Sequence, residues 1–94
     1  MRKLTNIMVT GGAGFIGSNF IRYLFGQKGF AGTVVNVDKL TYAGNPENLA
    51  DIESAHGGRR YFFEKTDVCD FDKIKALFER HAIDTVIHFA AECM

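Results

Sequence analysis

Thr10-Gly11-Gly12-Ala13-Gly14-Phe15-Ile16-Gly17 decides the fold. Its glycines at 11, 14 and 17 form G-x-x-G-x-x-G between an apolar run, Leu4–Thr10, and a stretch with helical spacing. A glycine turn that leaves a strand and opens a helix is the phosphate-binding element of a dinucleotide site. Gly11 permits a tight turn out of the strand. Gly14 lets the backbone approach a pyrophosphate, and Gly17 removes a side chain where helix packs on strand. The helix start then offers N–H groups and a positive dipole end to the phosphates.

The next apolar run, Thr33–Asp38, ends in an acid 21 residues beyond Gly17. A carboxylate at about that distance accepts hydrogen bonds from the adenosine ribose hydroxyls. It also repels a 2′-phosphate, so Asp38 favours NAD over NADP.

Two further runs, Arg60–Thr66 and Asp84–Ala90, follow at similar intervals. The spacing suits strand, crossover helix, strand. Ile7-Met8-Val9 and Thr33-Val34-Val35-Asn36-Val37 are near-continuous rather than alternating, as strands covered on both faces are. The third run is more mixed and belongs nearer an edge. Between the runs, Ile16, Phe20, Tyr23 and Leu24 recur at helical spacing and Gly26 closes the pattern. Asn45-Pro46 reads as an N-cap with proline at the first helical position. Leu49 and Ile52 give that helix an apolar face, and Gly57-Gly58 stops it. Asp70 caps a third helix striped by Phe71, Ile74, Leu77 and Phe78. The expected fold is α/β, a doubly wound parallel sheet in the order 3-2-1-4.

Composition agrees with a small globular chain. Its 94 residues are 47% hydrophobic and 23% charged, with nine Phe, three Tyr and no Trp. Residues 1–94 make one domain at most, read here as a partial NAD-binding domain. Eleven basic residues balance eleven acidic ones, with a pI near 6.8. That balance gives no electrostatic footprint for nucleic acid or an anionic membrane. No apolar run approaches the roughly 18 residues of a membrane span. Cys69 and Cys93 form neither a disulfide framework nor a metal-binding pair, and no spacing among cysteines and histidines resembles a metal site. A cytoplasmic setting is the expectation.

The motif Thr10–Gly17 resembles that of the extended short-chain dehydrogenase/reductases. The likeness sharpens through Val35-Asn36-Val37-Asp38-Lys39-Leu40-Thr41-Tyr42-Ala43-Gly44-Asn45. It continues in Asn48-Leu49, Asp67-Val68-Cys69-Asp70 and His88-Phe89-Ala90-Ala91-Glu92. Together these resemble the N-terminal part of the dTDP-glucose 4,6-dehydratases over nearly the whole chain. The resemblance implies an NAD site in which Phe15 and Ile16 present N–H groups to the pyrophosphate. It implies that Asp38, Lys39, Leu40, Thr41 and Gly44 surround the adenosine ribose. Asp67 and Val68 would flank the adenine, with Asp67 reading its amino group. Phe89, Ala90 and Ala91 would line the path to the nicotinamide ribose, and Glu92 would meet a nucleotide sugar such as dTDP-glucose.

Two departures qualify the resemblance. The family continues Ala-Ala-Glu with Ser-His-Val-Asp, whereas Cys93-Met94 follow here. Its Thr-Asp-Glu cluster and helical Tyr-x-x-x-Lys pair have no counterpart in this chain. Tyr61 and Lys65 match the second spacing only on a strand, where they do not stack. The chain is therefore expected to be a catalytically incomplete fragment, inactive alone and prone to self-association along its fourth strand. Its end, soon after a buried strand and without a covering helix, favours that reading. The alternatives are the NAD-binding part of a UDP-sugar 4-epimerase and a stand-alone dinucleotide-binding module.

The remaining residues read structurally. His88 is expected to be a structural histidine with one satisfied nitrogen. His56 and His81 are expected to be surface caps, and Cys69 a buried inert thiol. Arg59-Arg60 reads as solvated, and Lys73, Lys75 and Arg80 as the outer face of the third helix.

Overall fold

The computed structural model describes residues 5–11, 14–39 and 46–89. Four strands form one sheet: β1 (Asn6–Thr10), β2 (Thr33–Asp38), β3 (Tyr61–Lys65) and β4 (Thr85–His88). The order is β3-β2-β1-β4, and every pairing is parallel. Helices α1 (Phe15–Phe25), α2 (Ala50–His56) and α3 (Phe71–His81) connect them. This is the doubly wound arrangement expected from the sequence, with the mixed third run at the edge.

Strand alternation divides the core into two layers. Ile7, Val9, Val34 and Tyr61 face α1 and α2, meeting Ile21, Leu24, Leu49 and Ile52. Met8, Val35 and Val37 face α3 and meet Leu77. Both faces of β1 and β2 are thus covered, which accounts for their near-continuous apolar sequence.

Several local expectations need correction. The buried face of α1 is Gly17, Ser18, Ile21 and Leu24, while Ile16 and Tyr23 are exposed. Seating Gly17 against the sheet turns Ile21 inward, four residues on. Within α3, Leu77 is buried but Phe71 is 78% exposed. Asp70 does cap this helix, accepting from the Lys73 N–H at 3.3 Å. Proline 46 opens a 3₁₀ turn, Pro46–Leu49, and Leu49 precedes α2 as its N-cap. The proposed cap Asn45 lies outside the described residues.

The expected surface groups are also partly reassigned. Arg60 donates to the carbonyls of Gly32 (3.0 Å) and Phe30 (2.8 Å). Its guanidinium covers the rings of Phe25 and Phe30, so it ties the approach to β2 to the end of α2. His56 stacks on Phe25 at 4.4 Å, and His81 leans on Phe62 at 4.9 Å, so neither is a simple surface cap. Cys69 is exposed and is not a free thiol, contrary to the buried thiol expected.

Tyr61 is structural. Its hydroxyl accepts from Asn36 Nδ2 at 2.9 Å, inside the layer that faces α1. Asn36 Oδ1 has no partner there, so the hydroxyl is the amide's side-chain anchor. Tyr61→Phe is expected to cost about 1–3 kcal/mol, because it leaves a buried donor unsatisfied. Burial pushes the Tyr61 pKa up, and the Asn36 hydrogen bond only partly opposes this. A raised folded-state value means that the stability is present below the ordinary value of 10.0 and is lost as pH rises above it. Urea melts at pH 7 and pH 11 should therefore show a smaller alkaline loss in Tyr61→Phe than in the wild type.

Candidate functional site

The carboxyl ends of all four strands meet at one edge of the molecule. Thr10 pairs in register with Val37 on one side and His88 on the other, and Asp38 pairs with Lys65. The connections beyond these ends are tied together by main-chain bonds. The Gly11 N–H donates to Val37 O at 2.8 Å, Phe89 N–H to Thr10 O at 2.8 Å, and Thr66 N–H to Asp38 O at 3.2 Å. In an open parallel sheet, ligands bind outside these ends, where the strand order reverses. Here that position lies between β1 and β4.

The glycine turn starts at Gly11, whose φ of 72° lies in the left-handed region. A residue with a Cβ is strained there, so the glycine is explained by the backbone itself. Gly14 donates to Gly11 O at 3.2 Å and caps α1 without a side-chain bond. No acid lies in the first turn. Gly17 is buried against the sheet, while Phe15 and Ile16 are 80% and 67% exposed. A helix start that carries no acidic side chain is suited to an anion. These features fit the phosphates of a dinucleotide.

Asp38 ends β2 beside this turn and is half-buried. Lys39 follows it and reaches across to Asp67, with Nζ 3.4 Å from Oδ2. Asp67 also accepts from the Cys69 N–H at 2.9 Å. That main-chain bond, with Lys39 helping, holds the Asp67 carboxyl below the usual carboxylate range. Val68 points its side chain into the layer under α3. Phe89 leaves β4 on the other flank, its ring 5.5 Å from Phe20 of α1. Of the expected site residues, Gly11, Gly14, Phe15, Ile16, Gly17, Asp38, Lys39, Asp67, Val68 and Phe89 therefore sit at the strand ends or the helix start. Leu40, Thr41, Gly44, Ala90, Ala91 and Glu92 lie outside the described residues.

Two features were not foreseen in the sequence. Thr10 Oγ1 and His88 Nδ1 lie 2.6 Å apart, joining the ends of β1 and β4. His88 thus has the one satisfied nitrogen expected of it, and the partner is now identified. Second, an apolar groove of about 290 Å³ runs between β1, β4 and α3, lined by Met8, Thr10, Val68, Ile74, Phe78, Val86 and His88. Both features join residues that are far apart in sequence, and only the strand order brings them together.

Comparison with known proteins agrees with this architecture. The family profile described as GDP-mannose 4,6 dehydratase matches residues 8–94. The chain is 51% identical over 86 residues to a dTDP-glucose 4,6-dehydratase of Salmonella typhimurium, covering 92% of the chain and 22% of that enzyme. The crystal structure of dTDP-glucose 4,6-dehydratase from Bacillus anthracis in complex with NAD superimposes with a TM-score of 0.84 at 35% identity. That match covers 94% of this chain and 27% of the other. A UDP-glucose-4-epimerase from Stenotrophomonas maltophila with bound NAD gives a TM-score of 0.77 at 37% identity, over 96% of this chain and 25% of that one. The chain spans about a quarter of the length of the relatives it matches.

Proposed function

The chain belongs to the GDP-mannose 4,6 dehydratase family, and on that premise we propose that it is the NAD-binding part of a dTDP-glucose 4,6-dehydratase. The carrying observation is the glycine turn at Gly11, with its φ of 72°, bonded to the end of the strand that terminates in Asp38. The main-chain N–H groups of Phe15 and Ile16 hold the pyrophosphate, and Gly17 lets α1 sit close enough to do so. Asp38 binds the ribose hydroxyls, with Lys39, Leu40, Thr41 and Gly44 around them. Asp67 and Val68 flank the adenine. Phe89, Ala90 and Ala91 lead toward the nicotinamide, and Glu92 toward the sugar. The bound nicotinamide supplies a hydride acceptor and donor.

The parent reaction converts dTDP-glucose to dTDP-4-keto-6-deoxyglucose. The general base and the elimination residues belong to the remainder of the parent protein, so this chain alone is inactive. Tyr61 supports that view, since its hydroxyl is engaged inside the core rather than at the strand ends. On the same reading residues 1–94 form part of one NAD-binding domain working in the cytoplasm, where activated sugars and NAD are available. We also propose that the chain self-associates along β4, because Val86 and Phe89 are exposed on and beside this edge strand.

Calorimetric titration of NAD and NADP tests the site, and assay of the complete parent with dTDP-glucose tests the reaction. NAD should bind more tightly than NADP. Asp38→Ala should weaken NAD about tenfold, because at this half-buried position water takes over part of the hydrogen bonding to the ribose hydroxyls, and should narrow the gap between the cofactors. A wild type that prefers NADP removes Asp38 from the ribose site.

A further inference from the structure

The bond between Lys39 and Asp67 sits where the two cofactors differ. Asp38 and Lys39 are adjacent residues of opposite charge at the end of β2. A 2′-phosphate beside Asp38 is repelled by the carboxylate, yet a lysine one residue away is a strong phosphate donor. Asp38 alone therefore leaves discrimination incomplete. In the structure Lys39 is engaged by Asp67 from the segment that follows β3, at 3.4 Å. Asp67 is itself fixed by the Cys69 N–H at 2.9 Å, so it is a positioned acceptor.

Resting on the NAD-site reading above, we propose that Asp67 is a second cofactor-specificity residue, which excludes NADP by occupying the Lys39 ammonium. Asp38 repels the extra phosphate, and Asp67 withholds the nearest cation in sequence from it. The two acids then act on one discrimination through different partners. Removing either leaves the other in force, and removing both releases Lys39 next to a neutral residue 38.

Lys39 is exposed and Asp67 partly so, with side chains 61% and 41% accessible. Breaking their contact should not endanger the fold, since an exposed pair contributes little to stability. Asp67→Asn is the informative variant, because an amide oxygen can still accept from the Cys69 N–H while the charge on Lys39 is no longer met. Lys65, in register with Asp38 on β3, is a second cation among the described residues at these strand ends and needs its own control.

The experiment titrates NAD, NADP, 5′-AMP and 2′,5′-ADP into the wild type, Asp67→Asn, Asp38→Ala, the double variant, and Asp67→Asn combined with Lys39→Met or Lys65→Met. The readout is the ratio of affinities with and without the 2′-phosphate, which cancels any equal effect on adenine binding. Asp67→Asn should shift the ratio about fivefold toward the 2′-phosphate ligands, and less at high salt. The double variant should shift it by more than the product of the single shifts. Adding Lys39→Met should abolish the gain, while Lys65→Met should leave it. An unchanged ratio, or a gain that survives Lys39→Met, overturns the inference while NAD binding by the wild type leaves the site reading intact. A wild type that binds neither NAD nor 5′-AMP overturns that reading and the inference with it.

Discussion

Gly11→Val is expected to weaken NAD binding by more than a hundredfold and to lower stability by about 2 kcal/mol. At φ 72° the Gly11 backbone is in a region where a β-branched side chain is a severe misfit. Holding valine there costs about 1–3 kcal/mol. The alternative is for the turn to relax into an ordinary conformation. That would break the 2.8 Å bond from the Gly11 N–H to Val37 O and the 3.2 Å bond from Gly14 to Gly11 O. Both bonds set where α1 begins. A displaced helix start no longer aims several N–H groups at one pyrophosphate, and each such charge-assisted bond is worth roughly 1.5–3 kcal/mol. Losing two accounts for a hundredfold. Gly11→Asn separates the causes, because asparagine tolerates the left-handed region and should retain much of the stability. Cofactor titration beside a thermal melt checks both effects. A valine variant that binds NAD within fivefold of the wild type would show that the turn does not position the phosphates.

That turn was legible in the sequence because its logic is local. Gly11 must turn, Gly17 must pack, and Asp38 must end the next strand; each requirement stays within one strand–helix–strand unit. The order β3-β2-β1-β4 was legible for a related reason, since near-continuous apolar strands separated by helices have few parallel arrangements. The face of α1 was not legible. Phe15, Ile16, Phe20, Ile21, Tyr23, Leu24 and Phe25 put apolar side chains on more than one side of the helix, so spacing alone left its rotation undetermined. In the structure Gly17, Ser18, Ile21 and Leu24 form the buried face and Ile16 points outward. Arg60 was misread because a charged pair in sequence gives no sign of two carbonyls and two rings waiting across the fold. Lys39 and Asp67 were each placed near the adenosine by resemblance, but their contact depends on the ends of β2 and β3 being neighbours.

Sedimentation of the 94-residue chain at low micromolar concentration is expected to show dimers or larger species. The cause lies at β4. Among the described residues this strand pairs with β1 alone, so its other edge presents main-chain donors and acceptors to another chain. The sequence Thr85-Val86-Ile87-His88 is nevertheless built for burial. Val86 is 46% exposed, Phe89 just beyond is 38% exposed, and Phe78 of α3 is 37% exposed across the apolar groove. On the other face Phe20 of α1, itself only partly buried, meets the Phe89 ring. Apolar surface therefore flanks the open edge on both sides, the combination that drives association. A formal net charge of zero offers no long-range repulsion against it. Val86→Lys places a charge on the edge and in the groove together, which is how natural sheets protect such strands. It should return the chain to monomer in the same sedimentation experiment. If the wild type is already a monomer with a cooperative melt, β4 is not an association edge.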